Sequence, residues 1–220
     1  VLRVRDAMTR EVATLGPQAS AAEALGRCRE HGIRHLPVVE DGRLVGLVSD
    51  RDLRDVSPPR GTSDAENTLS WVRLVDIMTR GVETAHPLDT IEHAAHRMHA
   101  GRIGCLPVVA DGELAGIVTS SDMMQTLTEL VGAGERGSWV EVEVPNEPGS
   151  LAGVSKLVGE RGVNIAGIFL SPAKQSTHRM IVLRLERTDP SGVAKALSEA
   201  GYRAYGVEPS SPVSTGYEES

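Results

Sequence analysis

Gly46-Leu47-Val48-Ser49-Asp50-Arg51-Asp52 returns 70 residues later as Gly116-Ile117-Val118-Thr119-Ser120-Ser121-Asp122, and it closes a longer repeat. Upstream, Asp6-Ala7-Met8-Thr9-Arg10 becomes Asp76-Ile77-Met78-Thr79-Arg80, and Leu36-Pro37-Val38-Val39 becomes Leu106-Pro107-Val108-Val109. The alignment of Asp6–Asp52 with Asp76–Asp122 needs no gap, and about 20 of roughly 47 positions are identical. Self-similarity at a fixed offset identifies a duplicated structural unit. Two copies are too few for a solenoid, so a pseudo-twofold pair is expected.

Within the first copy, Pro17 and Ser20 open an Ala-rich stretch, Gln18–Glu30, that reads as a helix. Leu36–Val39 and Leu44–Ser49 are short aliphatic runs joined by Asp41-Gly42, the signature of a hairpin. Ser49 is a candidate N-cap for a second helix beginning at Asp50-Arg51-Asp52-Leu53. The second copy repeats the order, which predicts a β-α-β-β-α unit twice. Between the copies, Ser57–Ser63 has loop composition and Ala65–Val72 adds a helical turn. Asp122–Val131 reads as a helix ended by Gly132 and Gly134.

The last third has a different pattern. Trp139–Val144 alternates apolar and charged residues, as a strand with one wet face does. After Pro145–Ser150, the residues Leu151, Val154, Leu157 and Val158 fall at helical spacing, and Gly162 closes that helix. Two strands (Val163–Leu170, Arg179–Leu185), a helix (Ser191–Ala200) and a last strand (Tyr202–Val207) follow. This β-α-β-β-α-β order predicts a ferredoxin-like sheet with both helices on one face. The whole chain is therefore expected to be α+β. Expected boundaries are 1–56 and 71–131 for the two copies, a linker at 57–70, a hinge at 132–137, the last domain at 138–207, and a disordered tail, rich in Ser, Pro and Glu, at 208–220.

Composition narrows the function classes. With 40% hydrophobic and 24% charged residues the chain reads as an ordinary globular protein, and no apolar run approaches the ~18 residues of a membrane span. Arg3, Arg5 and Asp6 interrupt any secretory signal, so a cytoplasmic protein is expected. A formal charge of -7 argues against nucleic acid as a partner, but not against a nucleotide held in a local pocket. Cys28 and Cys105 form no Cys-x-x-Cys pair and read as two reduced thiols. His93, His96 and His99 lie three apart on a helix, but away from its apolar side, and read as a solvated face rather than a metal site. With no nucleophile motif, phosphate-binding glycine loop or paired-carboxylate site, the chain is expected not to be an enzyme.

The most specific chemistry lies in the two Gly-x-x-[Ser/Thr]-x-x-Asp boxes. The glycine lets something approach the backbone closely, and Ser49 or Thr119 starts a helix whose free N–H groups suit a phosphate. Asp52 or Asp122, one turn on, can accept hydrogen bonds from both hydroxyls of a ribose. The same pattern is also simply a capping box.

These repeats resemble CBS domains, through the Val4–Thr9 and Val75–Thr79 openings, the Leu-Pro-Val-Val strands and the Gly-x-x-[Ser/Thr]-x-x-Asp boxes. The resemblance implies a tandem pair with two clefts for adenosine ligands such as AMP, ADP, ATP or S-adenosylmethionine, and no required cofactor. It implies that Ser49 with Asp52 and Thr119 with Asp122 hold phosphate and ribose. Thr14 and Thr84 would sit at the cleft mouth, and Ile33–His35 and Ile103–Cys105 would flank the adenine. Because Arg34, His35 and Arg51 face Gly104, Cys105 and Ser121 in the alignment, unequal sites are expected, the first richer in positive charge.

The C-terminal segment resembles an ACT domain, through Val142–Leu151 and Gly162-Val163-Asn164-Ile165. That resemblance implies an amino acid at a dimer interface, met by Asn146 and the backbone of Glu147, Pro148, Gly149, Ser150 and Leu151, with Asn164 and Ile165 reaching from the neighbouring strand. Asn-x-Pro-Gly is also just a good turn into a helix. The order CBS-CBS-ACT is similar to proteins of the acetoin-utilisation AcuB type. Together the resemblances imply a homodimeric regulatory sensor acting on a partner enzyme, with coupling through Gly132–Gly137, or alternatively a dimerisation scaffold that binds no ligand.

Overall fold

The computed structural model describes residues 2–58, 65–132, 136–171, 177–186 and 189–207. Two compact units divide the chain, residues 1–127 and 128–220. Residues 59–64 of the expected linker, 133–135 of the expected hinge and the expected tail, 208–220, lie outside the described residues.

The first copy runs α1 (Val4–Ala7), α2 (Ala21–Glu30), β1 (His35–Glu40), β2 (Arg43–Ser49) and α3 (Asp50–Asp55). After α4 (Ala65–Trp71), the second copy runs α5 (Leu74–Ile77), α6 (Ile91–Gly101), β3 (Cys105–Ala110), β4 (Glu113–Thr119) and α7 (Ser120–Val131). Helix α2 starts three residues later than its composition suggests. Ser20 caps it, and the Glu23 carboxylate accepts from the Ser20 N–H at 2.7 Å, a complete capping box that fixes the start. Asp41 (φ 48°) and Gly42 (φ 79°) are both left-handed, as are Asp111 (φ 52°) and Gly112 (φ 86°). Two consecutive left-handed residues are what a two-residue I′ hairpin turn requires, which explains the Asp-Gly pair in each copy. Both hairpins carry a bulge at the same place, Val38/Val39 and Val108/Val109. The expected first strand of each unit shrinks to one parallel bridge, Leu15 with Val38 and Ala85 with Val108.

The copies exchange their opening segments. Val4 lies in the core of the second copy with Ala85, Ile91, Leu106, Val108 and Val118, while Leu69 and Leu74 lie in the core of the first with Ala24, Leu36, Val38 and Val48. Backbone hydrogen bonds seal each exchange: Val4 N–H donates to the Asp89 carbonyl and Leu74 N–H to the Ala19 carbonyl, both at 2.9 Å. Thr9 and Ile117 exchange two such bonds, each 2.9 Å, and Leu47 and Thr79 exchange the equivalent pair. Each copy's core thus contains apolar side chains from the other's opening segment, so neither copy completes its core alone.

The second unit runs β5 (Ser138–Pro145), α8 (Ser150–Glu160), β6 (Ile165–Leu170), β7 (His178–Leu185), α9 (Ser191–Glu199) and β8 (Arg203–Val207). Its antiparallel sheet has the order β6-β7-β5-β8, the expected ferredoxin-like arrangement. Val140, Val142 and Val144 alternate along β5 into a core shared with Val154 and Val158 of α8 and Val193 and Leu197 of α9. No helix among the described residues is long and apolar enough to cross a membrane.

Candidate functional site

One open cleft of about 1530 Å³ takes lining residues from both copies, and both Ser/Thr-x-x-Asp boxes stand in it. In the first, the Asp52 Oδ2 accepts from the Ser49 N–H at 2.7 Å and from its hydroxyl at 2.6 Å, while the Asp52 N–H donates back to Ser49 Oγ at 3.4 Å. In the second, the Asp122 Oδ2 accepts from the Thr119 N–H at 2.7 Å and its hydroxyl at 2.8 Å, and the Asp122 N–H donates to Thr119 Oγ1 at 3.3 Å. The capping-box reading is therefore realised twice. It does not exhaust the carboxylates, because both bonds that each carboxylate accepts in its cap go to Oδ2 and leave Oδ1 outside the cap.

The box glycines admit not a ligand but a methionine. A Cβ built on Gly46 would stand 2.4 Å from Met78 Sδ, and one on Gly116 would stand 2.8 Å from both Met8 Sδ and the Thr9 carbonyl oxygen. Each glycine therefore receives the methionine of the other copy's Asp-x-Met-Thr opening. The two halves of the sequence signature lock each other across the pseudo-twofold.

Ile33, Arg34, His35, Ser49, Arg51 and Asp52 line the cleft from the first copy. From the second come Ile103, Gly104, Cys105, Thr119 and Asp122. The Asp50 N–H donates to the Arg34 carbonyl at 2.9 Å, and the Ser120 N–H to the Gly104 carbonyl at 3.0 Å, which holds the expected adenine-flanking turn beside each helix start. Thr14 is not a lining residue of this cleft. Thr84 borders a smaller hollow, and its carbonyl accepts from Arg97 at 2.6 Å. The preceding residues, Glu11–Ala13 and Gly81–Glu83, line the large cleft instead. Sequence reading missed them because no motif covers them; their place directly after the repeated Met-Thr-Arg was the available signal.

His35 does not add the charge expected of it. Burial first, then the Arg34 guanidinium, pushes its imidazole below the ordinary value, against the opposing pull of Asp52 and Asp50. Its ring carbon Cε1 and Nε2 stand 3.0 Å from where a Gly104 Cβ would be, so the glycine at 104 makes room for the histidine at 35. Cys105 is 3% exposed, and burial pushes its thiol up to about 12. It is an inert wall residue. Cys28 is likewise buried, with its thiol raised by burial and then by Asp50. His93, His96 and His99 are exposed on α6, whose buried side is Ile91, Ala94 and Met98. No cluster able to hold a metal occurs among the described residues.

In the second unit, the Asn146–Leu151 turn is held by the Asn146 N–H donating to the Thr177 carbonyl at 2.8 Å and the Ser150 hydroxyl donating to the Pro145 carbonyl at 2.7 Å. Gly149, at φ 96°, caps α8 in the left-handed region. Asn164 and Ile165 are not brought to this turn. Ile165 pairs with Leu185, which also pairs with Ser138 at the start of β5, whereas Pro145, at its end, pairs with His178. Seven registers at about 3.3 Å each put the two groups roughly 23 Å apart, at opposite ends of one sheet.

Comparison with known proteins follows the same division. The CBS domain family model matches residues 4–58 and 74–129, and the ACT domain model matches 138–201. The CBS domain-containing protein YhcV of Bacillus subtilis is 32% identical over 120 residues, which cover 54% of this chain and 81% of YhcV. An inosine-5'-monophosphate dehydrogenase of Korarchaeum cryptofilum is 39% identical over 124 residues, 56% of this chain but 24% of that enzyme. Among solved structures, the CBS pair of protein MJ0100 in complex with 5'-methylthioadenosine and S-adenosyl-L-methionine superposes with a TM-score of 0.50 at 31% identity, covering 59% of this chain and 98% of that one. A putative acetoin utilization protein (AcuB) from Vibrio cholerae gives 0.52 at 32%, covering 61% and 98%. CBSX2 in complex with AMP gives 0.51 at 28%, covering 60% and 99%. The chain belongs to the CBS domain family, as a tandem CBS pair followed by a C-terminal ACT domain.

Proposed function

We propose that this protein is a non-catalytic regulatory sensor whose CBS pair binds an adenine nucleotide: AMP, ADP, ATP or S-adenosylmethionine. The observation that carries the reading is the duplicated carboxylate, Asp52 and Asp122, each with one oxygen in a helix cap and the other outside it, in one cleft of about 1530 Å³. Single ligand pockets measure about 300–1,000 Å³, so the cleft has room for two nucleotides. The nucleoside ligands of MJ0100 and the AMP of CBSX2 support the choice of adenosine compounds.

The ACT domain binds an amino acid only in a homodimer. The Asn146 turn and Asn164 are too far apart within one sheet to share a ligand, so a second copy would supply Asn164 and Ile165. The protein acts in the cytoplasm on a partner enzyme, and the likeness to AcuB supports a link to acetoin utilisation.

Titration calorimetry with ATP, ADP, AMP and S-adenosylmethionine tests the reading. Binding to the folded state at ~100 times the dissociation constant adds about 2.7 kcal/mol of stability and raises the melting temperature. Asp52→Ala and Asp122→Ala assign the heat to one half of the cleft or the other. If neither heat nor melting temperature responds to any of the four, the chain is a dimerisation scaffold and the nucleotide reading fails.

A further inference from the structure

The two copies carry the same arginine and use it differently. Arg27 and Arg97 are equivalent in the repeat. In the second copy the Arg97 guanidinium donates to Glu83 Oε1 at 2.7 Å and to the Thr84 carbonyl at 2.6 Å, and it lies 3.6 Å from Asp89 Oδ2. Its charge is neutralised there, and it is not a lining residue of the large cleft. In the first copy, alanines stand where the second has its acids: Ala13 for Glu83 and Ala19 for Asp89. Among the described residues, neither an ion pair nor a side-chain hydrogen bond engages Arg27, and it lines the cleft from an exposed position on α2.

The rest of the cleft's charge follows the same division. Arg34 and Arg51 line it from the first copy, again without an ion-pair partner among the described residues, where the second copy has Gly104 and Ser121. Arg54 does not add to them, because it is 3.0 Å from Asp50. From the second copy, among the described residues, only Arg102 lines the cleft as an arginine, and Glu83 lines it already paired with Arg97. Among the described residues the first copy thus offers three guanidinium groups without an ion-pair partner, beside Glu11 and Asp52, and the second offers one, beside Asp122. In a chain of formal charge -7, this local excess marks where an anion belongs. Guanidinium groups are suited to phosphate oxygens, through paired N–H donors and a charge that persists at every physiological pH.

Resting on the nucleotide reading above, we propose that the cleft selects a nucleoside di- or triphosphate through the first copy, and that Arg27 is its specificity-determining residue. A monophosphate leaves several guanidinium groups without a partner, and S-adenosylmethionine brings a positive sulfonium toward them. Each further phosphate oxygen engaged by a guanidinium tightens binding by roughly tenfold or more.

Calorimetry on the full chain with ATP, ADP, AMP and S-adenosylmethionine reads this directly. Affinity should rise from AMP through ADP to ATP, with S-adenosylmethionine weakest. Arg27→Gln should weaken ATP by roughly tenfold while changing AMP by less than about threefold. Ala13→Glu, which copies the second copy's acid beside Arg27 while keeping the guanidinium, should do the same, with an unchanged melting temperature in both variants as the check on folding. AMP binding as tightly as ATP, or Arg27→Gln weakening all four ligands equally, overturns the polyphosphate proposal and leaves the nucleotide reading standing. Absence of binding by any of the four overturns both.

Discussion

The two CBS copies share a backbone to the level of its irregularities and differ in what they do with charge. Their hairpins have the same two-residue turn, the same bulge and the same register, His35 opposite Ser49 and Cys105 opposite Thr119. Their boxes make the same three hydrogen bonds. Yet α3 has six residues and α7 twelve, and the clasp of Arg97 by Glu83 has no counterpart around Arg27 among the described residues. The difference teaches that duplication preserved the frame and let the site diverge. Frame residues answer to packing on both sides of the pseudo-twofold, whereas a cleft residue answers only to what enters the cleft.

The largest expected effect tests the equality of the frames. Leu36 and Leu106 are equivalent and both fully buried, so Leu36→Ala and Leu106→Ala should each cost about 2–5 kcal/mol. Urea unfolding that separates them by more than about 2 kcal/mol would break the symmetry of the two cores.

Next come the box glycines, where the symmetry is already imperfect. The three atoms nearest a Gly46 Cβ all belong to the flexible Met78 side chain, whereas Gly116→Ala also meets the Thr9 carbonyl at 2.8 Å. A side chain can swing aside and a hydrogen-bonded backbone oxygen cannot. Gly116→Ala should therefore cost about 2–3 kcal/mol and Gly46→Ala about 1 kcal/mol. Equal losses in thermal unfolding would show that Thr9 yields as readily as a methionine.

Smaller effects belong to the caps. Without ligand, Asp52→Ala and Asp122→Ala should each cost about 1 kcal/mol, the usual loss for a helix cap. The loss should be more visible in hydrogen exchange of α3, whose six residues leave the cap a larger share of its stability. An α7 that exchanges faster than α3 in the paired variants would contradict this.

The smallest effect concerns His35, which has no titrating imidazole opposite it in the second copy. Its native imidazole is depressed below the ordinary value of 6.5, so the unfolded chain takes up the proton first. The stability His35 contributes is intact above 6.5 and is lost as pH falls from there through the depressed native value. His35→Gln should flatten stability against pH in that window relative to the parent chain. An unchanged slope would assign the pH dependence elsewhere.

Much of this was legible in the order of the residues. The Asp-Gly turns, the capping boxes at Ser49 and Thr119, and the alternation along β5 are local patterns whose physics is complete within a few residues. The exchange of opening segments was not legible. Val4 and Leu74 are apolar residues in short helical turns, and nothing near them says that they lie in the other copy's core. Nor could spacing show that Asn146 and Asn164 stand at opposite ends of the sheet, because that depends on strand register.

By itself the sequence determined that the protein is a duplicated α+β unit with a ferredoxin-like domain after it, because periodicity, turn chemistry and caps act over one or two turns of chain. Only the tertiary structure decided that the glycines of the boxes seat Met78 and Met8, that His35 fills the space beside Gly104, and that Arg97 is held by Glu83 while Arg27 is not. Those outcomes depend on distances between residues far apart in the chain. An ion pair or a packed methionine exists only where folding has brought its two halves within a few ångströms.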